Sequence, residues 1–251
     1  MRRRKQDQTL LPTIQTIKAD HPFWGYRRIW SYLNYRMNIH VNKKCIYRIM
    51  KENNLLVQKN TRLKATRDNK AYRSKPKASR PNHIWGTDMT KVMIALFGWL
   101  YVVIVLDWYT KKIVGYSIST KSKASDWLNA LNDACNNQFP NGILSKEQDL
   151  HLVSDNGSQP TSQQYMLACS VMEIKQIFAS YNNPKGNADT ERVMRTIKED
   201  FVWTRDFASP DDFINQFKQW VEDYNTDYPH SSINYQTPCE FEKEQLALTK
   251  I

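Results

Sequence analysis

The sequence lacks the closely spaced cysteine and histidine pairs that structural zinc sites use. None of its cysteines forms a CxxC pair, and its five histidines are equally dispersed. The four cysteines are Cys45, Cys135, Cys169 and Cys239. We therefore expect four reduced, mostly buried thiols and no bound zinc ion.

Long hydrophobic segments are also missing. The longest apolar run extends over the 15 residues from Val92 to Leu106 and includes Gly98, which is short of the roughly 18 residues that a membrane span needs. The first ten residues, MRRRKQDQTL, carry positive charge without the apolar stretch of a secretory signal. These absences predict a cytoplasmic protein that crosses no membrane, and the hydrophobic fraction of 41% argues against global disorder.

Acidic residues are scarce in the first third of the chain. Residues 1–80 contain 21 lysines and arginines against 4 acidic residues, whereas residues 81–251 contain 15 basic and 21 acidic residues. A basic arm joined to a mildly acidic remainder is typical of a protein that binds a polyanion. A solvated basic face is the alternative, but a surplus of this size favours nucleic acid. Membrane binding is disfavoured, because no segment joins the basic residues to a strong apolar face.

Residues 20–56 have the spacing of two short amphipathic helices. In the first, the apolar positions are Trp24, Ile29, Tyr32 and Leu33. The second begins at a predicted N-cap, Asn42, and its apolar side consists of Ile46, Ile49 and Met50. This pattern favours a helix-turn-helix, with a basic helical hairpin that enters no DNA groove as the alternative. The candidate DNA contacts on the two helices are Arg27, Arg28, Lys43, Lys44 and Arg48.

From residue 83 onward the sequence changes to a pattern of strands and helices. Three β-rich runs, IWGTDMTKVMI, WLYVVIVLDWY and KKIVGYSIS, follow one another with short connections, which predicts an antiparallel meander. Helical and strand patterns then alternate and end in a long amphipathic helix within SPDDFINQFKQWVEDYNTDY. The prediction is an α/β layer fold with a mixed sheet.

Three acidic residues occupy positions at which a charge needs an explanation. Asp88 lies inside the first predicted strand, where an uncompensated charge is costly. Asp155 follows the strand pattern LHLV directly, at the carboxyl end where α/β sheets bind ligands, although Asp-Asn-Gly is also typical of a plain turn. Glu191 begins a helix at the border of its apolar stripe, and an ordinary ion pair with Arg195 is its alternative role.

Taken together, the three carboxylates indicate a metal site. Side chains of the same charge brought close to one another raise each other's pKa values, and divalent cations remove that cost. Oxygen ligands suit Mg²⁺ or Mn²⁺, and two such ions about 3.5–4 Å apart support phosphoryl displacement. A basic arm that holds phosphates beside such a core predicts an enzyme that cuts or joins nucleic acid strands.

At these residues the sequence resembles the integrase-core (DDE) transposases of bacterial insertion sequences, in particular the downstream-frame OrfB product of the family-three elements. The likeness extends over almost all of residues 20–243. It is carried by HPFWGYRRIWSYL, VNKKCIYRIMKENNL, PNHIWGTDMT, LYVVIVLDWYTKKIVGYSIS, LVSDNGSQ, NPKGNADTERVMRTIKED and YNTDYPHSSINYQTPCEF. The 35 residues between Asp155 and Glu191, with Asp88 on the first strand, match the spacing of the family's catalytic triad.

The resemblance implies a ribonuclease-H-like fold, in which a mixed five-stranded sheet is flanked by helices and preceded by a small all-α helix-turn-helix domain. Asp88, Asp155 and Glu191 then form the catalytic, metal-binding triad for two Mg²⁺ or Mn²⁺ ions. The implied reaction is hydrolysis at the end of the element, which frees a 3′-hydroxyl, followed by strand transfer by that hydroxyl. We expect Arg195 and Lys198, on the helix of Glu191, to contact DNA phosphate.

The resemblance also implies partners and a division of the chain. The expected partners are double-stranded DNA at the element ends and at the target, further copies of the chain on that DNA, and the upstream-frame protein by frameshift fusion. The zinc-binding His/Cys domain of retroviral integrases is absent, so no zinc is implied. The expected segments are a helix-turn-helix-like domain (1–56), a basic linker (57–80), an integrase-like catalytic core (81–205) and a C-terminal helix and tail packing on the core (206–251).

Two other functions fit parts of the same pattern. A DNA-binding regulator would join the helix-turn-helix to an inactive core, but the intact set of carboxylates favours the enzyme. A ribonuclease-H-type hydrolase would act on RNA–DNA hybrids, but the helix-turn-helix and the basic linker disfavour it.

Overall fold

The computed structural model describes residues 2–57, 76–143, 149–179 and 186–248. Contacts divide the chain into two compact units, of which the smaller contains residues 1–70 and 229–236 and the larger contains residues 71–228 and 237–251. Most of the expected linker and the loop before the helix of Glu191 lie outside the described residues.

The smaller unit contains three described helices: α1 (Arg2–Asp20), α2 (Tyr26–Tyr35) and α3 (Lys43–Glu52). The second and third are those that the sequence predicted. The Asn42 side chain accepts a hydrogen bond from the Lys44 amide at 2.8 Å, as expected of an N-cap. The predicted apolar sides are buried, with Ile29, Leu33, Ile46, Ile49 and Met50 all at 2% exposure or less.

Helix α1 was not predicted from the sequence. Its charged start and Pro12 obscure the pattern, yet Leu10, Ile14 and Ile17 recur at helical spacing and are all buried. Those three positions are the signal that would have found it.

The larger unit is built on one sheet of five strands. They are β1 (Ile84–Ile94), β2 (Gly98–Asp107), β3 (Ile113–Ser119), β4 (His151–Ser154) and β5 (Lys175–Phe178). The spatial order is β3-β2-β1-β4-β5. Strands β1, β2 and β3 form the predicted antiparallel meander, whereas β4 pairs parallel to both β1 and β5. The predicted mixed five-stranded sheet is therefore confirmed.

The remaining described helices lie between and after these strands. They are α4 (Ala124–Gln138), α5 (Gln163–Val171), α6 (Ala188–Ile197), a π-helical turn (Lys198–Val202), α7 (Pro210–Thr226), a 3-10 turn (Ser231–Ile233) and α8 (Pro238–Leu248). Within the described ranges, no helix is both long and apolar enough to cross a membrane.

The two faces of the sheet carry different cores. On one face, residues of α4 and α5, such as Trp127 and Tyr165, pack with Trp85 in a mixed aliphatic and aromatic cluster. On the other face, Tyr116 of β3 meets Phe217 of α7 with ring centroids 5.2 Å apart. Successive side chains of a strand point to opposite faces of the sheet, so each strand contributes residues to both cores.

All four thiols are free, as expected. Cys135 and Cys169 are buried in the first of these cores, and burial raises the pKa of the Cys169 thiol to about 12. Cys45 and Cys239 are half-buried. Half of the thiols, rather than most of them as expected, are therefore buried.

Helix α4 packs against β3 so closely that the strand has room only for glycine at one position. A Cβ at Gly115 would lie 2.3 Å from the backbone nitrogen of Ala134 and 2.7 Å from the carbonyl oxygen of Ala130. Because both atoms belong to helix backbone, no side-chain rotation relieves the clash.

We predict that Gly115→Ala lowers the free energy of unfolding by about 2–3 kcal/mol or more, because it forces the helix off the sheet. Urea denaturation followed by circular dichroism measures the change. Ser117→Ala, two residues further along the same strand, is the matched control and should change stability by less than about 1 kcal/mol. Equal effects of the two substitutions would contradict this account of the packing.

Candidate active site

Parallel pairing of β1 with β4 brings Asp88 and Asp155 to the same end of the sheet. The last recorded pair of the two strands is Gly86 with Val153. Asp88 and Asp155 each lie two residues beyond that pair, so continuing the register sets them side by side. Asp88 is half-buried within β1, whereas Asp155 is exposed in the loop that follows β4.

Helix α6 carries the third carboxylate, Glu191, in its first turn. Its approach to β1 is unusually close, because a Cβ at Gly86 would lie 2.1 Å from the Thr190 hydroxyl and 2.2 Å from the indole nitrogen of Trp108. In the buried gap, that nitrogen donates a hydrogen bond of 3.0 Å to Thr190. Gly86 therefore sets how near the helix of Glu191 can come to the strand of Asp88.

Asn187, the N-cap position of α6, fixes the start of the helix. Its side chain does not cap the helix. Instead the amide donates a hydrogen bond of 3.1 Å to the carbonyl of Thr87, the residue next to Asp88. The Asn187 carbonyl accepts the first helical bond, from the Glu191 amide, at 3.0 Å. One buried asparagine thus connects the backbones that carry Asp88 and Glu191.

The pKa of Asp88 reflects its burial and the charges of the other two carboxylates. Burial raises the pKa of Asp88 to about 6, and the charges of Asp155 and Glu191 raise it as well. The hydrogen bond from the Met89 amide and the charge of Lys198 act in the opposite direction. Ionisation of Asp88 is therefore costly without a compensating cation.

The three carboxylates are close enough to interact but are not in mutual contact. In the described part of the chain, they do not form a group whose oxygens all lie within 4.8 Å of one another. Asp155 accepts a hydrogen bond from the Gly157 amide at 3.0 Å, which is the geometry of a turn. The turn that the sequence suggested for Asp155 is therefore present, and it holds one carboxylate oxygen at the edge of the site.

The ion pair considered for Glu191 is not formed. Arg195 instead pairs with Glu199, four residues further along, at 2.6 Å. Among the described residues, Glu191 takes part in no salt bridge and its side chain is exposed. Its charge is thus available next to Asp88, on which it acts.

Lys198 begins the π-helical turn that follows α6 directly. Turns of this kind occur mostly as single insertions in α-helices and frequently at functional sites. Lys198 is half-buried and its charge acts on Asp88. Of the two predicted phosphate contacts, Lys198 is near enough for its charge to act on Asp88, while Arg195 is 63% exposed and pairs with Glu199.

The five candidate DNA contacts of the smaller unit have different surroundings. Arg27 and Lys44 are exposed. The guanidinium of Arg28 lies over the ring of Trp24 at 5.5 Å, and Arg48 pairs with Glu52 at 3.4 Å.

Lys43, the fifth of these candidates, lies over an aromatic cluster. Its ammonium is 4.1 Å from the centre of the Trp30 ring and 5.6 Å from that of Tyr235. Tyr235 belongs to the 229–236 segment, which joins the smaller unit. Since a cation–π contact of this kind holds the side chain in place, Lys43 is the least available of the five.

Sequence reasoning missed the residues that position α6. Trp108, Thr190 and Asn187 are not charged, and nothing in their spacing indicates that they meet across about 80 to 100 positions of the chain. The available signal was Gly86, a glycine inside a strand, which often marks the close approach of another backbone.

Family models match most of the chain. Two models described as "Integrase core domain" match residues 78–184 and 172–238, and a model described as "HTH-like domain" matches residues 5–62. The core models together extend over all five strands and over helices α4 to α7.

Similar proteins include transposases of bacterial insertion elements. The chain is 29% identical, over 168 residues, to the transposase for insertion sequence element IS904 of Lactococcus lactis, and the match covers 66% of this chain and 64% of that protein. It is 22% identical over 250 residues to transposase InsD of the IS2 elements of Escherichia coli, covering 97% and 81%. The chain thus spans slightly less than two thirds of the first relative.

Solved structures of retroviral integrases share the fold. A simian T-cell lymphotropic virus intasome in complex with a PP2A regulatory subunit matches with a TM-score of 0.54 at 14% identity, over 84% of this chain and 74% of that one. The HTLV-2 integrase catalytic core in complex with magnesium matches with a TM-score of 0.50 at 17% identity, over 66% and 99%. The expected ribonuclease-H-like architecture is confirmed, and the chain carries integrase-core and HTH-like matches and is related to transposases of bacterial insertion elements.

Proposed function

We propose that the protein is a DNA transposase. It hydrolyses one strand at the end of its insertion element and then joins the freed 3′-hydroxyl to target DNA. The observation that carries the proposal is the register of β1 with β4, which sets Asp88 beside Asp155, together with the charge of Glu191 that acts on Asp88, in a chain that matches integrase-core models. We assign the catalytic, metal-binding role to these three carboxylates.

The three side chains suit a divalent cation. They supply oxygen ligands only, which Mg²⁺ and Mn²⁺ prefer, and Asp88 is held in surroundings that disfavour its charge. One ion with bonds of about 2.1 Å joins oxygens at most about 4.2 Å apart. Because the three carboxylates are spread more widely than that, we propose that they would hold two ions rather than one.

The bound ions would lower the pKa of the attacking water or hydroxyl and stabilise the leaving oxygen of the phosphodiester. The chain's own contribution is to hold the carboxylates in position. Asn187 and Gly86 set the separation of α6 from β1, and the Asp155 loop is anchored where the Asn156 amide donates to the Ala179 carbonyl at 3.1 Å. Lys198 is the cation placed to attract a phosphate next to the reacting one.

DNA binding beyond the active site is assigned to the smaller unit. Its match to a helix-turn-helix model and its exposed Arg27 and Lys44 support contacts to the element ends. Several copies acting together on DNA are proposed by analogy with the viral intasome, an assembly named for that neighbour. Fusion to an upstream-frame protein also belongs to this proposal.

The first test is strand cleavage by the purified chain on duplex DNA carrying the ends that flank its own gene. We expect Asp155→Asn and Glu191→Gln each to lower the rate in Mg²⁺ by at least about 100-fold, because each removes a charged metal ligand. Asp206→Asn and Glu222→Gln, which alter exposed acids elsewhere, are the matched controls. Cleavage by Asp155→Asn at the wild-type rate would refute the assignment.

The second test uses protein stability in the absence of metal. The pKa of Asp88 is about 6 in the folded chain against 3.8 as its ordinary value. Between these pH values the folded state holds a proton that the unfolded state has released, so the free energy of unfolding falls as the pH rises. Above pH 6 the ionised Asp88 lowers the free energy of unfolding by its full amount, on the order of 2–3 kcal/mol.

We therefore predict that Asp88→Asn stabilises the protein in EDTA at pH 7.5 but has little effect at pH 4. Excess Mg²⁺ should reduce the advantage, since the ion stabilises the wild-type fold that binds it. Urea denaturation at both pH values measures this. Asp107→Asn is the contrasting control, because both carboxylate oxygens of Asp107 accept backbone N–H bonds, and an amide has only one accepting oxygen. A destabilising effect of Asp88→Asn in EDTA would contradict the prediction.

The third test addresses Lys198. We expect Lys198→Ala to weaken DNA binding and to reduce the slope of log affinity against log salt by about 1, because one phosphate contact is lost. Fluorescence anisotropy with labelled element ends at several salt concentrations gives the slope. Lys218→Ala, an exposed lysine on α7, should leave it unchanged. An unaltered slope for Lys198→Ala would exclude the phosphate contact.

A further inference from the structure

Two histidines that are 68 positions apart in the sequence meet at the amino ends of β1 and β4. His83 immediately precedes β1 and His151 begins β4. The His151 amide donates a hydrogen bond of 2.9 Å to the His83 carbonyl, and the two rings lie edge to face with centroids 5.6 Å apart. Backbone pairing of two neighbouring strands therefore places the two histidines side by side.

Asp149 completes a three-residue group at this position. One ligand atom each from His83, Asp149 and His151 can be chosen so that all three lie within 4.8 Å of one another. This is the only such group of histidine, cysteine and acidic side chains within the described ranges. Sequence inspection treated the five histidines as dispersed and did not anticipate it.

The group is separate from the proposed catalytic carboxylates. Asp88 is five residues from His83 along β1, and Asp155 is four residues from His151 along and beyond β4. At about 3.3 Å per residue, the two sets are separated by more than about 13 Å. No ion can bridge them.

We propose that His83, Asp149 and His151 bind a single divalent transition-metal ion, with Zn²⁺ as the best-suited candidate, at the end of the sheet opposite the catalytic carboxylates. Two imidazole nitrogens and one carboxylate are a ligand set that zinc accepts in proteins, with water in the fourth position. Mg²⁺ is disfavoured, because it prefers oxygen ligands alone.

The hydrogen bonds of the rings support this assignment. Nδ1 of His151 lies 3.0 Å from the Asp149 carbonyl oxygen. Since a carbonyl can only accept, Nδ1 carries the proton and the lone pair of Nε2 is available to a metal. Donation of the second ring N–H to a carbonyl is the usual arrangement of metal-binding histidines.

His83 has a different arrangement. Its Nδ1 accepts from the Ser79 amide at 3.2 Å and lies 3.0 Å from the Ser79 hydroxyl. Binding through this nitrogen would replace two exposed hydrogen bonds, which water can compensate. A tetrahedral zinc ion sets its ligands about 3.4 Å apart, and rotation of the exposed Asp149 side chain with small adjustments of the two half-buried rings would close the remaining distance.

Lys175 predicts in which direction metal affinity changes when a neighbouring charge is removed. Its ammonium is 2.6 Å from one carboxylate oxygen of Asp149, and its strand, β5, pairs His151 with Lys175 in register. This cation opposes a second positive charge at the site. Removal of its charge should therefore tighten metal binding.

The experiment is calorimetric titration of the full chain with ZnCl₂ in the Asp155→Asn/Glu191→Gln background, which removes metal binding by the proposed catalytic site. We expect one equivalent to bind. His83→Gln and His151→Gln should each weaken binding at least about tenfold, whereas Lys175→Gln should strengthen it. His40→Gln, which replaces an exposed histidine of the smaller unit, is the matched control and should change nothing.

A second measurement leaves the three proposed ligands unchanged, so that its result does not depend on whether the substituted variants fold. In NMR spectra of the same background protein, Zn²⁺ should shift the ring signals of His83 and His151 and leave that of His40 unchanged, and excess Mg²⁺ should not reverse the shift. Unaltered ring signals, equal zinc affinity in His151→Gln, or equal competition by Mg²⁺ would each overturn the proposal. Because the catalytic carboxylates are absent from this test, its failure leaves the proposed transposase activity untouched.

Discussion

The parallel pairing of β1 with β4 is the interaction on which both candidate sites depend. These two strands are joined by only three recorded residue pairs, from Ile84 with His151 to Gly86 with Val153. Asp88 and Asp155 lie just beyond the carboxyl end of this paired stretch, and His83 and His151 lie at its amino end. A shift of register by one residue would reverse which face each side chain occupies and would separate both sets.

The position of α6 is a second constraint, and it is set by packing rather than by charge. Gly86 leaves the space that the Thr190 hydroxyl and the Trp108 indole fill. Asn187 connects the helix start to the strand backbone next to Asp88. Uncharged, buried groups thus determine how far Glu191 is from Asp88, while the three carboxylates themselves oppose their own approach. Burial first, and the charges of Asp155 and Glu191 after it, raise the pKa of Asp88, a cost that a bound cation would relieve.

Much of this architecture was predictable from local patterns. The three strands of the meander, the N-cap Asn42 and the apolar stripe of α6 follow from alternation, capping and helical spacing, which are short-range signals. Helix α1 was missed because its charged start and Pro12 hide three correctly spaced apolar residues. The 229–236 segment also gave no sign that Tyr235 would pack with Trp30, since a contact across about 200 positions leaves no periodicity.

The sequence by itself determined the types of residue available: three carboxylates with the spacing of a known family, a basic first third, and strands and helices in alternation. Tertiary structure decided which of them meet. Arg195 pairs with Glu199 rather than Glu191, and Lys43 lies over Trp30. Two histidines far apart in the sequence lie together at the amino ends of two neighbouring strands. The physical reason is that local propensity acts over a few residues, whereas the register of paired strands and the depth to which a helix packs are settled only when the whole core forms.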